Sequence, residues 1–141
     1  LIGPTDSNPA ALSKEEIDGC VDDGIINYTP AQSDVRPFLK SSEVFVLPSY
    51  REGTPRSVLE AMAMEMPIIT TNAPGCKETV TEGVNGFLVD VKNSEKLANA
   101  MEKFILDKGL VSRMGAESLK MAQEKYDVNI VNQSILDEIL K

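Results

Sequence analysis

The chain has no histidine, no tryptophan and two cysteines, Cys20 and Cys76. Those shortages remove whole classes of chemistry, because a Cys/His zinc site and Ser-His or Cys-His nucleophilic catalysis all need residues this sequence does not hold. The two thiols read as free. Cys76 falls near a candidate helix start, where a thiol pKa can drop, and an ordinary reduced thiol is the reading taken. There is no basic tract, and the formal net charge of −8 argues against a nucleic-acid backbone or an anionic membrane as the main partner. No apolar run approaches bilayer length and no signal-peptide pattern opens the chain, so a soluble, cytosolic segment is expected. No internal repeat, low-complexity tract or long linker divides the 141 residues, which suits one domain with its own core.

What is present is a rhythm. Apolar strand candidates at Leu1-Ile2, Ile25 to Tyr28, Val44 to Leu47, Ile68 to Thr71 and Phe87 to Val89 alternate with helical patterns near 12–20, 34–42, 55–65 and 75–82. Alternation of this kind predicts an α/β fold with a Rossmann-like, doubly wound parallel sheet. After Asp90 it gives way to three helical stripes. The first holds Leu97, Met101, Phe104 and Ile105, the second Leu110, Met114, Met121 and Ala122, and the third Val128, Val131, Ile135 and Ile139. The methionines read as core filling.

One segment concentrates polar chemistry at a strand-to-helix turn. Val44 to Leu47 has the length of a parallel strand covered on both faces, and Pro48 stops it. Thr54 suits an N-cap and Pro55 the first helical position, so a helix is expected near residue 55. The free amides of Arg56, Ser57 and Val58 would then face the carboxyl edge of the sheet, where a helix start favours phosphate. Gly53 admits a ligand close to the backbone. Glu52 and Glu60 flank this anion site, and carboxylates there suit sugar hydroxyls better than phosphate oxygens, which they repel.

In order along the chain stand Glu52 and Glu60 with seven residues between them, Glu60-Ala-Met-Ala, Pro67-Ile-Ile-Thr-Thr, Pro74-Gly-Cys-Lys-Glu-Thr-Val and Gly83-Val-Asn-Gly-Phe-Leu-Val89. This set resembles the C-terminal donor-binding domain of GT-B retaining glycosyltransferases of family 4, the group-1 type, from about residue 24 to the end. The resemblance is closest to bacterial enzymes that build capsule or O-antigen polysaccharide. It implies that Glu52 lies near the donor sugar, orienting hydroxyls and stabilising developing positive charge, and that Glu60 meets the ribose hydroxyls. Tyr28, Thr29 and Pro30 occupy the loop where the family packs the base; a structural turn is an equal reading. Arg56 is either a phosphate contact or an exposed first-turn arginine. Glu78 is expected to cap or pair within its own loop, and Lys77 to be solvated.

The same resemblance implies UDP as the nucleotide, a saccharide or lipid-linked acceptor, and transfer without a metal or other cofactor, in keeping with the absence of an Asp-x-Asp sequence. The parent enzyme would act in the cytoplasm, peripheral at the inner face of the membrane. The chain reads as a fragment, Leu1-Ile-Gly-Pro matching the family's second strand. Its first βα unit, the basic pair that meets the diphosphate and the N-terminal acceptor domain would lie outside it, leaving the fragment inactive alone and prone to pair as a homodimer. Two other readings stay open: a binding-only nucleotide-sugar module, and a sugar-nucleotide epimerase of the same fold, a class that usually employs histidine. A receiver-like module fits poorly, because Pro48 and Ser49 follow the central strand where a receiver needs an aspartate. The family carries glycine where this chain has Glu65, in a left-handed turn that costs a glutamate roughly 1 kcal/mol.

Overall fold

In the computed structural model, which describes residues 1–5 and 11–140, the chain divides into two compact units, Leu1–Pro37 and Phe38–Lys141.

The first unit is built around helix α1, Lys14–Asp22. Its start is a reciprocal capping box: the Glu16 amide donates to Ser13 Oγ at 3.2 Å and the Ser13 amide to Glu16 Oε2 at 2.8 Å. Its end is a Schellman turn, in which Gly24 at φ +69° donates to Val21 O and Ile25 to Cys20 O. That turn changes one expectation. The amides of Ile25 and Ile26 both reach back to Cys20 O, so the first half of the stretch expected as a strand over 25–28 is committed to ending the helix. Pairing with the first residues starts at Asn27, whose carbonyl accepts from the Leu1 amino group at 2.8 Å, and amounts to a single parallel bridge of Thr29 to Ile2, with Thr29 N donating to Leu1 O and Gly3 N to Thr29 O.

Helix α2, Arg36–Lys40, falls at the division between the units. The second unit carries the sheet. Strands β1 (Phe45–Leu47), β2 (Ile68–Thr71) and β3 (Gly86–Val89) lie parallel in the order β1-β2-β3. Phe45 is in register with Ile68, and Ile68 with Gly86. The last register demands a glycine, because a Cβ at Gly86 would stand 1.8 Å from Ile68 O. Strand β2 is buried along its length, as a central parallel strand must be. Strand β1 was expected to be covered on both faces and is instead half-buried throughout, since β2 is its one ladder partner among the described residues.

Helices α3 (Arg56–Ala63), α4 (Ser94–Leu106), α5 (Gly109–Lys125) and α6 (Val128–Ile139) follow the predicted stripes. The core joins Ile69, Phe87 and Val89 of the sheet to Ala100 and Phe104 of α4 and Met114 of α5. Phe87 and Phe104 meet edge to face at 5.4 Å between centroids. Val58, Ala61 and Met62 bury α3, which packs on β1, β2 and α5. The segment expected as a helix near 75–82 is a single 3-10 turn, Lys77–Thr79, followed by a buried polar knot. There the Asn85 side chain accepts from Thr81 N at 2.7 Å and donates to Thr79 O at 3.0 Å, while the main-chain carbonyl of Asn85 accepts from Ile68 N and Ser118 Oγ. Helix α6 differs from the other long helices: its apolar stripe buries no residue.

Candidate functional site

The carboxyl ends of β1 and β2 are tied together by threonines. Thr70 Oγ1 donates to Leu47 O at 2.8 Å and Thr71 Oγ1 to Ser49 O, so β2 holds the chain leaving β1 at two carbonyls, one on either side of Pro48. A second clamp comes from the loop after β2. Glu52 N donates to Pro74 O at 3.1 Å, and Gly75, at φ +84°, lies so close that a Cβ there would be 2.1 Å from Glu52 O and 2.0 Å from Gly53 O. Glu78 Oε2 in turn accepts from Gly75 N at 2.8 Å, so this carboxylate pairs within its own loop as the sequence implied. Lys77 is exposed, also as expected, and Cys76 is buried with a free thiol.

The helix start differs by one position from the expectation. Pro55, not Thr54, is the N-cap of α3, with extended ψ of 113° and no side-chain cap. The reason is local: the Pro55 carbonyl accepts from Val58 N at 3.0 Å and from Leu59 N at 3.3 Å. The Val58 amide, expected to be free, is therefore used, and the Val58 side chain is fully buried. The amides of Arg56 and Ser57 have no acceptor among the described residues. Gly53, Thr54, Arg56 and Ser57 are exposed, and the space a Cβ would take at Gly53 is open. Glu52 is half-buried and Glu60 exposed, and neither carboxylate has a hydrogen bond or ion pair among the described residues. One segment thus presents two uncommitted carboxylates on either side of two free helix-start amides.

Tyr28, Thr29 and Pro30 belong to the first unit. Tyr28 and Thr29 are half-buried, with the Tyr28 hydroxyl donating to Gly3 O at 2.9 Å, and Pro30 is exposed. Gly75, Thr70 and Thr71 escaped the sequence reading as positioning residues. Pro74-Gly75 and Thr70-Thr71 stand in the quoted motifs, but only coordinates reveal which backbone they hold. On the Tyr50 side of the loop, at the carboxyl ends of the strands, opens a crevice of about 400 Å³ that neither Glu52 nor Glu60 lines.

The family described as Glycosyl transferases group 1 matches residues 24–121. The chain belongs to that family. Among curated members, an N,N'-diacetylbacillosaminyl-diphospho-undecaprenol alpha-1,3-N-acetylgalactosaminyltransferase of Campylobacter jejuni is 33% identical, matching 100% of this chain and 37% of its own length. The capsular polysaccharide biosynthesis glycosyltransferase CapM of Staphylococcus aureus is 36% identical over 70% of the chain and 26% of its own length. The chain thus spans well under half of the curated group-1 relatives it matches. Anabaena Alr3699/HepE in complex with UDP shares the fold at TM-score 0.87 and 24% identity, over 99% of this chain and 39% of that one. A glycosyltransferase from Rickettsia africae aligns at TM-score 0.77 and 27% identity, over 91% and 35% respectively. The GT-B, Rossmann-like expectation is met by these neighbours. No helix among the described residues is long and apolar enough to cross a membrane.

Proposed function

We propose that this group-1 chain is the donor-binding part of a retaining glycosyltransferase that moves a sugar from a nucleoside diphosphate to a saccharide or lipid-linked acceptor in polysaccharide biosynthesis. The observation that carries the reading is the pairing of free amides at Arg56 and Ser57 with the uncommitted carboxylates of Glu52 and Glu60. Helix-start amides suit the diphosphate, and the open face of Gly53 lets it approach. Glu60 accepts from ribose hydroxyls and Glu52 from the hydroxyls of the departing sugar, where a fixed negative charge also favours the oxocarbenium character of the transition state. UDP is the nucleotide assigned, which agrees with the ligand named for the HepE neighbour. The reading assigns no metal, since helix-start amides here, with cations elsewhere in the longer enzyme, would meet the diphosphate charge. The acceptor acts through the remainder of a longer enzyme, placed at the cytoplasmic face of the membrane.

Calorimetric titration of UDP tests this on the chain itself. Wild type binds, and Glu60→Ala binds about tenfold more weakly, the loss of about 1.4 kcal/mol that a good hydrogen bond to a charged group carries. Equal affinity of the two proteins for UDP, or no binding by either, overturns the assignment. Incubation with a UDP-sugar and an acceptor gives no turnover by the chain alone; measurable transfer would show that these residues hold a complete active site.

A further inference from the structure

Two side chains from the end of α5 meet on one main-chain oxygen, 47 and 48 residues away in sequence. Lys125 Nζ donates to Glu78 O at 2.7 Å and the Tyr126 hydroxyl donates to the same oxygen at 2.8 Å. A carbonyl has two lone pairs, so a distant helix takes both. The oxygen belongs to the middle residue of the 3-10 turn Lys77–Thr79, which is thereby pinned to α5. Tyr126 is half-buried and is the C-cap of α5, so the anchor is itself fixed.

The side chain of the same residue reaches the other way. Glu78 Oε2 accepts from Gly75 N, and Gly75 shares that peptide group with Pro74, whose carbonyl accepts from Glu52 N. One peptide group is thus held at both ends, its N–H by Glu78 and its C=O by Glu52. It lies at the centre of a type II turn: Cys76 N donates to Ala73 O at 3.1 Å, Pro74 stands second and Gly75, at φ +84°, third. Type I and type II turns differ by rotation of this central peptide. Rotation would carry Pro74 O away from Glu52 N and Gly75 N away from Glu78. The bond to the carboxylate is charge-assisted, and it polarises the peptide so that Pro74 O accepts more strongly.

An exposed carboxylate accepting from an amide three residues earlier is, taken alone, a local cap. Here the amide belongs to the peptide that binds Glu52 N, and the residue that accepts from it is tied to α5. Resting on the donor reading, which puts the donor at Glu52, Gly53 and the amides of Arg56 and Ser57, we propose that Glu78 is a positioning residue for the donor site. It locks the Pro74–Gly75 peptide in the orientation that receives Glu52 N, and Lys125 and Tyr126 hold Glu78 in place to do so. Contact runs from α5 through Glu78 and the Pro74–Gly75 peptide to the Glu52 turn.

Amide hydrogen exchange read by NMR, run beside calorimetric titration of UDP, tests the assignment on the chain itself. Wild type protects the Glu52 amide and binds UDP. Glu78→Ala, a change on an exposed side chain, speeds exchange at Glu52 about tenfold and weakens UDP about threefold or more. Exchange at Ile69 in β2 and the melting temperature stay as they were, which a general loss of stability would not allow. Glu78→Gln keeps an acceptor oxygen at the same reach and recovers most of both. Wild-type UDP binding that Glu78→Ala leaves unchanged overturns the positioning role and spares the donor reading. Faster exchange at Glu52 in Glu78→Ala, in a chain that binds no UDP even as wild type, supports the hold on Glu52 and overturns the donor reading. Unchanged exchange at Glu52, faster exchange throughout the chain, or Glu78→Gln no better than Glu78→Ala overturns the positioning role.

Discussion

At the scale of single residues, Glu65 separates what a motif requires from what a fold accepts. It sits at φ +58°, with Glu65 N donating to Met62 O and Met66 N to Ala61 O, the two bonds of a Schellman turn at the end of α3. The same pair of bonds ends α1, with a glycine at the left-handed position. The turn survives the glutamate because Met66 is buried behind it and the Glu65 carbonyl lies against Gly115, where a Cβ would come within 2.0 Å. Glu65→Gly is therefore expected to stabilise the chain by about 0.5–1 kcal/mol, relief of the left-handed cost exceeding glycine's entropy. Thermal denaturation checks this as a rise of about 2–4 °C, with Glu65→Ala, which keeps its Cβ, giving no such gain. Residue roles in the proposed reaction divide in kinetics. In the full-length enzyme Glu60→Ala should raise the donor KM with kcat nearly kept, since a ribose contact is made equally in ground and transition states. Glu52→Ala should lower kcat. If both altered donor affinity alone, Glu52 would have no part in the chemical step.

At the scale of elements, the loop after β2 supports the loop after β1. Gly75 packs against the Glu52 and Gly53 carbonyls with no room for a methyl group, and its own φ is positive. Gly75→Ala must strain its backbone and push the Glu52 turn away at once, an expected loss of more than about 2 kcal/mol in urea unfolding together with weakened UDP binding. A fully stable variant with unchanged UDP affinity would mean the two loops are not coupled. Such coupling is where sequence reading ran out. The strands at β1, β2 and β3 and the helices α3 to α6 were legible because apolar runs and 3.6-residue stripes are local signals. The Ile25 to Tyr28 stretch misled because its apolar run is real, but the preceding Schellman turn takes the amides of Ile25 and Ile26. The Thr54 cap was misplaced by one residue for a similar reason, since which carbonyl accepts the first helical bond depends on the ψ of Pro55. Glu52 and Glu60 enter the proposed site by spacing and resemblance; Gly75, Thr71 and the Tyr50 crevice needed a neighbour distant in sequence.

At the scale of the whole molecule, the balance between charge and exposed apolar surface decides how the chain behaves in solution. Helix α6 turns Val128, Ile135 and Ile139 outward and buries none of its residues, and its C-cap Leu140 is exposed as well, Ile139 at 72% and Leu140 at 80%. A second apolar groove runs where Val44 and Val46 of the sheet meet Met101 and Ile105 of α4. Contiguous apolar surface of this kind favours association, and the net charge of −8 opposes it by mutual repulsion. The two effects respond oppositely to salt, because screening weakens the repulsion and leaves apolar burial intact. The isolated chain is thus expected to self-associate with rising concentration, and more tightly at 1 M than at 0.1 M salt, ionic strengths at which the Debye length is about 3 Å and about 10 Å. Light scattering reads this directly as a mass above 15.4 kDa. Ile135→Lys with Ile139→Lys places charge on the α6 stripe while touching no buried side chain, so it should return the mass to one chain without loss of stability. A wild-type mass of one chain at every concentration and salt would show that the α6 face does not drive association.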